Sequence, residues 1–302
     1  MPGSLYAVSN TTVRIGGVPE HFNLPWLLAI EEGVFATAGY DVEWIDFPGG
    51  TGAIMRALEA GEIDMATPLT EGAVTAIANG NPSRFISIWV ESPLMWGIHV
   101  ASSEAETSVE DLEGQRFAIS RFGSGSDLMA RVLAEEEGWE ITEDNFVVVG
   151  GLDGALEALP AGDAEIFLWN KSMTQPYVSN GTFARAGVLP TPWPSFAVVA
   201  STSFLDSRPE AATALSVIAR QRAAALTSDD RFAGIVVDRY ELELDSASEW
   251  SDQVEWTAAD SLVSHDMLSG VAERMHRLGR IDIAQQRTVS SGERIQQASA
   301  RA

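Results

Sequence analysis

The residues best suited to chemistry stand in short clusters rather than singly. One is Ser120-Arg121-Phe122-Gly123-Ser124-Gly125-Ser126-Asp127, and another is His21-Phe22-Asn23. Glycine lets the backbone turn its N–H groups outward, and the first N–H groups of a helix have no partner inside it. A Ser/Gly corner that opens a helix therefore suits a carboxylate, a sulfonate, a phosphate or the polar edge of a ring. Arg121, Ser124, Gly125 and Ser126 are the groups that would touch it. The plainer reading is a helix cap, Ser124 or Ser126, on a flexible turn. His21 adds a side chain that can change charge near neutral pH, Phe22 a flat face, and Asn23 a donor and an acceptor. Further candidates are Gly50, Thr51 and Gly52 in a glycine-rich turn, Thr70 and Glu71 at a helix start, Asn170 and Thr174 after a late strand, and Trp193 in a proline-rich run. Thr51 and Ser124 bring hydroxyls to helix N-termini, while Trp193 and Phe22 can stack on a flat ligand. Glu71 either complements a helix dipole or holds a ligand's amino group. Arg121 has a bland alternative as a surface ion pair, and Trp193 as a packing residue held by its prolines.

These residues do not form a nucleophile–base pair of convincing spacing. His99, His265 and His276 lie in strand or helical patterns, and no Ser/His/Asp order recommends itself. No catalytic residue, metal site or cofactor is assigned. The chain of 302 residues contains no cysteine, which excludes disulfides, thiol catalysis and Cys-based zinc or iron–sulfur sites. Asp and Glu number 43 against 19 Lys and Arg, for a formal charge of −24. That argues against a nucleic-acid partner and against adhesion to anionic lipid. Lys171 is the only lysine.

The elements that must position these residues follow from periodicity. Val13–Val18 reads as a first strand, and Pro25 sits in the first turn of the helix after it. Val42–Ile45 is a second strand, Gly49–Gly52 turns into a helix that Gly61 ends, and Ile63–Ala66 is a third strand. Thr70 opens another helix, and Phe85–Val90 is a strand. Phe117–Ile119 and the helical spacing of Leu128, Met129, Val132 and Leu133 make the Ser/Gly cluster a strand-to-helix corner. Strands alternating with helices predict an α/β fold with a mainly parallel sheet. In such sheets ligands bind beyond the carboxyl ends of the strands, where all the clusters above lie.

An internal repeat refines this. Gly49-Gly50 followed by Ala57-Leu58-Glu59-Ala60-Gly61 has a second copy 101 positions on, Gly150-Gly151 followed by Ala158-Leu159-Pro160-Ala161-Gly162. The same offset lays His21-Phe22-Asn23 over Phe122-Gly123-Ser124, so two lobes of similar plan are expected. Residues 1–100 form the first part of lobe I, 101–195 form lobe II, and 196–302 form the return strand of lobe I with C-terminal helices. Pro190-Thr191-Pro192-Trp193-Pro194 precedes the return crossing. Ser290–Ala302 is polar and expected to fray. No apolar run approaches the ~20 residues of a membrane span, so no membrane insertion is expected. Residues 1–12 lack the basic start and apolar core of a signal peptide. A complete chain would thus be cytoplasmic, and a trimmed mature form periplasmic or extracellular.

His-Phe near the first strand, Gly-Gly-Thr-Gly and Ala-Gly-Glu-Ile-Asp together resemble the type II periplasmic-binding-protein fold, in its sulfonate, taurine and thiamine-pyrimidine superfamily. Ser120–Ser126 and Thr191-Pro192-Trp193-Pro194-Ser195 resemble a narrower solute-binding-like branch without export signals that includes a fungal member. The resemblance covers residues 13–205 well and the C-terminal helices weakly. It implies two α/β lobes joined by two crossings, with a ligand between them. One departure stands out: Asn170-Lys171 occupies a place that is often acidic in that branch, which leaves the ligand's charge open. One enzyme of the superfamily makes the thiamine pyrimidine with a pyridoxal cofactor and a cysteine-rich iron site, and zero cysteines and one lysine speak against that here. The expectation is a solute-binding protein, a monomer, that closes on a small polar ligand, anionic or heteroaromatic, without chemistry. An ABC transporter permease is its further partner. The alternatives are a lyase or dehydratase on the same fold, with His21 or Glu71 as base, and a ligand-sensing regulator.

Overall fold

The computed structural model describes residues 12–290 and Ile295. The readings of the N-terminal residues before Thr12 and of the polar C-terminus fall, in the main, outside the described residues. The chain divides into two compact units, one of residues 1–92, 193–276 and 281–302, the other of residues 93–192 and 277–280.

The first unit opens with β1 (Val13–Gly17), α1 (Leu24–Glu31), α2 (Val34–Thr37), β2 (Val42–Asp46), α3 (Gly50–Ala60), β3 (Met65–Thr67), α4 (Thr70–Ala78) and β4 (Ser83–Val90). The second unit holds β5 (Met95–Ala101), β6 (Phe117–Ile119), α5 (Gly125–Glu137), β7 (Phe146–Val148), α6 (Leu152–Ala161), β8 (Ile166–Asn170), α7 (Lys171–Ser179) and β9 (Phe183–Pro190). The chain then returns through β10 (Phe196–Ser201), α8 (Thr202–Ser207), α9 (Pro209–Thr227), α10 (Phe232–Tyr240), α11 (Leu244–Gln253), α12 (His265–Arg277) and α13 (Ile283–Ser290). This is a two-lobed α/β architecture. Besides the two crossings expected, Arg277–Arg280 make a further excursion into the second unit.

Each unit carries a five-stranded sheet, ordered β2-β1-β3-β10-β4 in the first and β7-β6-β8-β5-β9 in the second. In both, the first three strands are parallel and the fourth, donated after a crossing, runs antiparallel to its neighbours. β5 corrects the sequence reading, which left Met95–Ala101 with lobe I. It is a central strand of the second sheet, between β8 and β9. Buried on both faces, it lacks the alternation that marks a half-buried strand. Glycine at 97 leaves room within it for the His99 ring, which stands where a Cβ would go.

The repeat is visible atom by atom. Gly61 ends α3 and Gly162 ends α6, both in the left-handed region that favours glycine. Arg14 donates to Asp64 and to the Gly61 carbonyl. Arg116 makes the same bonds to Glu165 and the Gly162 carbonyl. In each unit this pair ties the start of the first parallel strand to the end of the helix and to the strand beside it.

Candidate functional site

In the first unit the turn His21–Asn23 joins β1 to α1 and is fixed by residues from far along the chain. The Phe22 carbonyl accepts from the indole N–H groups of Trp89 and Trp256, at 3.0 and 3.4 Å. Asn23 donates to the Val18 carbonyl at 2.9 Å and accepts from Thr67 at the end of β3 at 2.8 Å. Its amide thus works as a brace between two loops. The His21 ring lies against Phe22 with centroids 4.7 Å apart, meets the Trp250 ring edge-on at 4.3 Å, and has Tyr240 at 5.9 Å. Burial pushes its pKa down to about 3, so the imidazole is neutral at physiological pH. Three buried polar atoms in this group have no hydrogen-bond partner among the described residues: His21 Nε2, Trp250 Nε1 and the Tyr240 hydroxyl.

A second group of the same unit forms where α4 begins. Glu71 sits in its first turn, buried, and its Oε2 accepts from Trp193 Nε1 at 2.8 Å. Burial pushes the Glu71 carboxyl up to about 7, against the opposing pull of its own backbone N–H and the Trp193 indole. The Arg274 guanidinium lies over the Trp193 ring, 5.8 Å from its centroid. Trp193 is therefore a donor held in place by its neighbours, and one face of the ring is already covered. The hydroxyl of Thr70, fully buried, has no partner among the described residues. Thr51, at the start of α3, spends its hydroxyl on the Leu69 amide at 3.0 Å. Its methyl group occupies the space a Cβ at Gly72 would need. Gly50 carries a positive φ at the head of α3, and Gly52 follows half-buried.

The run Trp193–Phe196 links the two groups. Trp193 holds Glu71, the Ser195 carbonyl accepts the Thr70 amide at 3.0 Å, Phe196 bridges to Leu69, and the Phe196 ring lies 4.9 Å from Phe22. His21, Phe22, Asn23, Thr51, Thr70, Glu71 and Trp193 thus belong to one network. Its terminal parts, Trp250 and Tyr240, read from the sequence as core and as part of a helical packing stripe: nothing local marks them for a site, since they come from C-terminal helices.

The Ser/Gly corner of the second unit is built differently. Ser124 caps α5 by accepting from the Asp127 amide. Ser126 accepts from the Ser120 amide at 2.9 Å and bonds the Ser124 hydroxyl at 3.0 Å. The Asp127 carboxylate, completely buried, accepts from the Gly123 amide at 2.7 Å and from Arg131 and Arg280 at 2.9 and 2.7 Å. Burial alone would push this carboxyl up, but the Gly123 amide and the two guanidinium groups outweigh it and hold it below the usual range. The amides of Ser120, Gly123 and Asp127 are therefore served by the chain's own oxygens. The spacing of Asp127 and Arg131, four residues apart, is the signal that marks the pair. Gly125 is half-buried, and a Cβ there would lie 3.0 Å from the Trp96 ring. Arg121 is exposed. Asn170 ends β8 and caps α7 by accepting from the Ser172 and Met173 amides. Thr174 returns its hydroxyl to the Asn170 and Lys171 carbonyls. Asn170 and Thr174 thus form a second, separate pair.

Chemically, the first unit offers a neutral imidazole, a carboxyl group of high proton affinity and an uncommitted hydroxyl among aromatic rings. In the second, the Ser124 and Ser126 hydroxyls and the Asp127 carboxylate are bonded within the corner, while Trp96 Nε1 beside Gly125 and Arg280 Nε have no hydrogen-bond partner among the described residues. Among the described residues no group of three His, Asp or Glu side chains is placed to hold a metal ion, and no helix is long and apolar enough to cross a membrane.

Comparison with solved structures agrees with this architecture. The CA3427 gene product of Candida albicans, described as defining a new family with the generic periplasmic-binding-protein fold, superposes with a TM-score of 0.83 at 22% identity, covering 96% of this chain and 99% of that one. The alkanesulfonate-binding protein SsuA of Xanthomonas axonopodis pv. citri, bound to MOPS, gives 0.70 at 17% identity over 90% and 95% of the two chains. The periplasmic nitrate-binding protein NrtA of Synechocystis gives 0.71 at 16% identity over 94% and 86%. At these identities the likeness establishes the fold alone, the two-lobed periplasmic-binding-protein fold that the motifs suggested. A search among curated proteins finds no match. The profile of the NMT1/THI5-like family, however, matches residues 19–229. That match spans well over half of the sequence, from the His21 turn through both glycine-ended helices to the end of α9, and on it the chain belongs to the NMT1/THI5-like family.

Proposed function

We propose that this protein is a solute-binding protein that captures a small polar molecule by closure of its lobes and releases it unchanged. The observation that carries the reading is the set of buried polar atoms left without partners beyond the carboxyl ends of β1 and β3, His21 Nε2 and Thr70 Oγ1. A buried donor or acceptor without a partner costs about 1–3 kcal/mol, and a ligand that supplies the partner recovers it. The loops that hold these atoms are braced by Asn23, Thr67 and Trp193, as preorganised binding requires. A base as weak as His21, with its pKa pushed down to about 3, suits hydrogen bonding better than proton abstraction at neutral pH. Closure would come from contacts that the ligand makes only in the closed form. The permease of an ABC importer is the partner that this reading implies.

The test is a thermal-shift screen with organic acids, sulfonates, amines and heteroaromatic compounds. A true ligand raises Tm in a concentration-dependent, saturable manner, and mass spectrometry after incubation recovers it intact. Chemical conversion of the stabilising compound, or no stabilisation by any class, would overturn the reading.

A further inference from the structure

We propose that the ligand is a small organic base, an amine or amidine whose protonated nitrogen bonds the Glu71 carboxylate. This rests on the solute-binding reading above and adds the sign of the ligand's charge. Glu71 is 4% exposed, and the groups that act on its carboxyl are burial, its own backbone N–H and Trp193 Nε1. No cationic side chain is among them. A carboxylate can accept about four hydrogen bonds, so this one has acceptor capacity to spare. The proton affinity that burial gives it marks the missing counter-charge, which a bound cation would supply. Thr70, the residue before it, brings an uncommitted buried hydroxyl, and the neutral His21 imidazole can accept an N–H as well as donate one.

The opposite charge fits poorly. A sulfonate, nitrate or phosphonate could bond Glu71 only in its protonated form, because beside the ionised carboxylate like charges in a medium of low dielectric repel strongly. The helix N-terminus best suited to an anion, that of α5, already has an internal one: the Asp127 carboxylate takes the Gly123 amide together with Arg131 and Arg280. Arg121, the cation the sequence offered for an anionic ligand, is exposed. A net charge of −24 also draws cations toward the protein rather than anions. The inference therefore departs from the sulfonate and nitrate named for the two bacterial proteins above.

The experiment uses the full chain with probes of matched shape and opposite charge, benzamidine and benzylamine against benzoate and benzenesulfonate, with methylamine against nitrate as the smallest pair. Thermal shift and isothermal titration calorimetry are the readouts. At least one cation is expected to stabilise the protein saturably, and its matched anion is not. Glu71→Gln keeps the shape and can still accept the Trp193 bond. It is expected to weaken cation binding about tenfold or more, the loss of one charge-assisted hydrogen bond, with an unchanged circular dichroism spectrum. Stabilisation by anions alone overturns the inference and leaves the solute-binding reading standing. So does cation affinity unaltered in Glu71→Gln. Binding by none of these probes overturns the inference too, and the broader screen above then decides the reading beneath it. The wild-type comparison of cations with anions stands even if the variant fails to fold.

Discussion

The two units share one frame and differ at its ends. Both sheets have the same strand order, both helices before the third parallel strand end in a left-handed glycine, and both first strands are tied by an arginine to the same two places. Where the parallel strands give way to loops, the resemblance stops. In the first unit the loop ends keep polar atoms in reserve: His21 Nε2, Thr70 Oγ1 and a Glu71 carboxyl with one indole donor. In the second the corresponding corner bonds its own hydroxyls and three of its amides through Ser124, Ser126 and Asp127, and the polar atoms it leaves over are Trp96 Nε1 and Arg280 Nε. The frame is set by backbone pairing and a few repeated anchors, so both units can share it. The loop chemistry is set by single side chains and diverges freely.

The sharpest way to break the comparison is to take away the second unit's internal anion. Asp127→Ala leaves Arg280 and Arg131 without their shared partner and the Gly123 amide without its acceptor. Removing one side of a buried charge pair typically costs about 3–5 kcal/mol, so urea titration is expected to show the largest loss of stability of any substitution considered. A loss below about 1 kcal/mol, in the range of surface ion pairs, would mean the corner does not depend on its carboxylate.

Next comes Glu71, which separates the units by pH. Its carboxyl is raised from an ordinary value of 4.5 to about 7 in the folded protein. Between those values the folded state holds a proton that the unfolded state has lost, so stability falls as pH rises through this window and is level above it. At about 1.4 kcal/mol per pKa unit, the effect is at most about 3 kcal/mol. Glu71→Gln removes that decline, so its Tm relative to wild type is expected to climb from pH 4.5 to 7. Glu20 is also pushed up to about 7 by burial, so the difference between the two proteins, rather than either curve alone, isolates Glu71. His21 works in the opposite sense. Its pKa is lowered from 6.5 to about 3, so its contribution is present above pH 6.5 and is lost as pH falls toward 3. In His21→Asn this acid-side loss should shrink. A variant and wild type that melt in parallel across the acid range would place His21 in contact with water.

Smaller still is Ser124→Ala, which removes the cap of α5 and the bond to Ser126. The expected cost is about 1 kcal/mol. If the corner's hydroxyls serve structure, ligand affinity measured by calorimetry changes less than in Glu71→Gln, and the reverse order would move the centre of binding to the second unit. The smallest effects are expected for Arg14→Met and Arg116→Met. Both arginines are partly exposed, with side chains 37% and 44% accessible, so each should lower Tm only slightly. The two losses should be alike, since the bonds are. A marked inequality would show that the shared frame is not shared in energy.

Much of the frame was legible in the sequence. The offset between Gly61 and Gly162, the strand at Phe117–Ile119 and the Ser124 cap depend on neighbours close in the chain, and periodicity and capping chemistry report such neighbours directly. β5 was not legible as part of the second unit, because a central strand buried on both faces carries no alternation. The candidate site was legible only in part. His21, Thr70 and Glu71 could be named from their places after strands, but so could Asn23, Thr51, Asn170 and Thr174, whose polar atoms the fold spends on bracing.

By itself, then, the amino-acid order determined the alternation of strands and helices, the doubling of one plan, the caps and turns that end each element, and the family. Tertiary structure alone decided which polar groups are spent and which remain available. It placed Trp250 and Tyr240 beside His21, Trp193 on Glu71, and Arg280 on Asp127. The reason is physical: a capping bond or a helical stripe joins residues a few positions apart, whereas the partner of a buried polar atom is fixed by whichever distant segment packs against it.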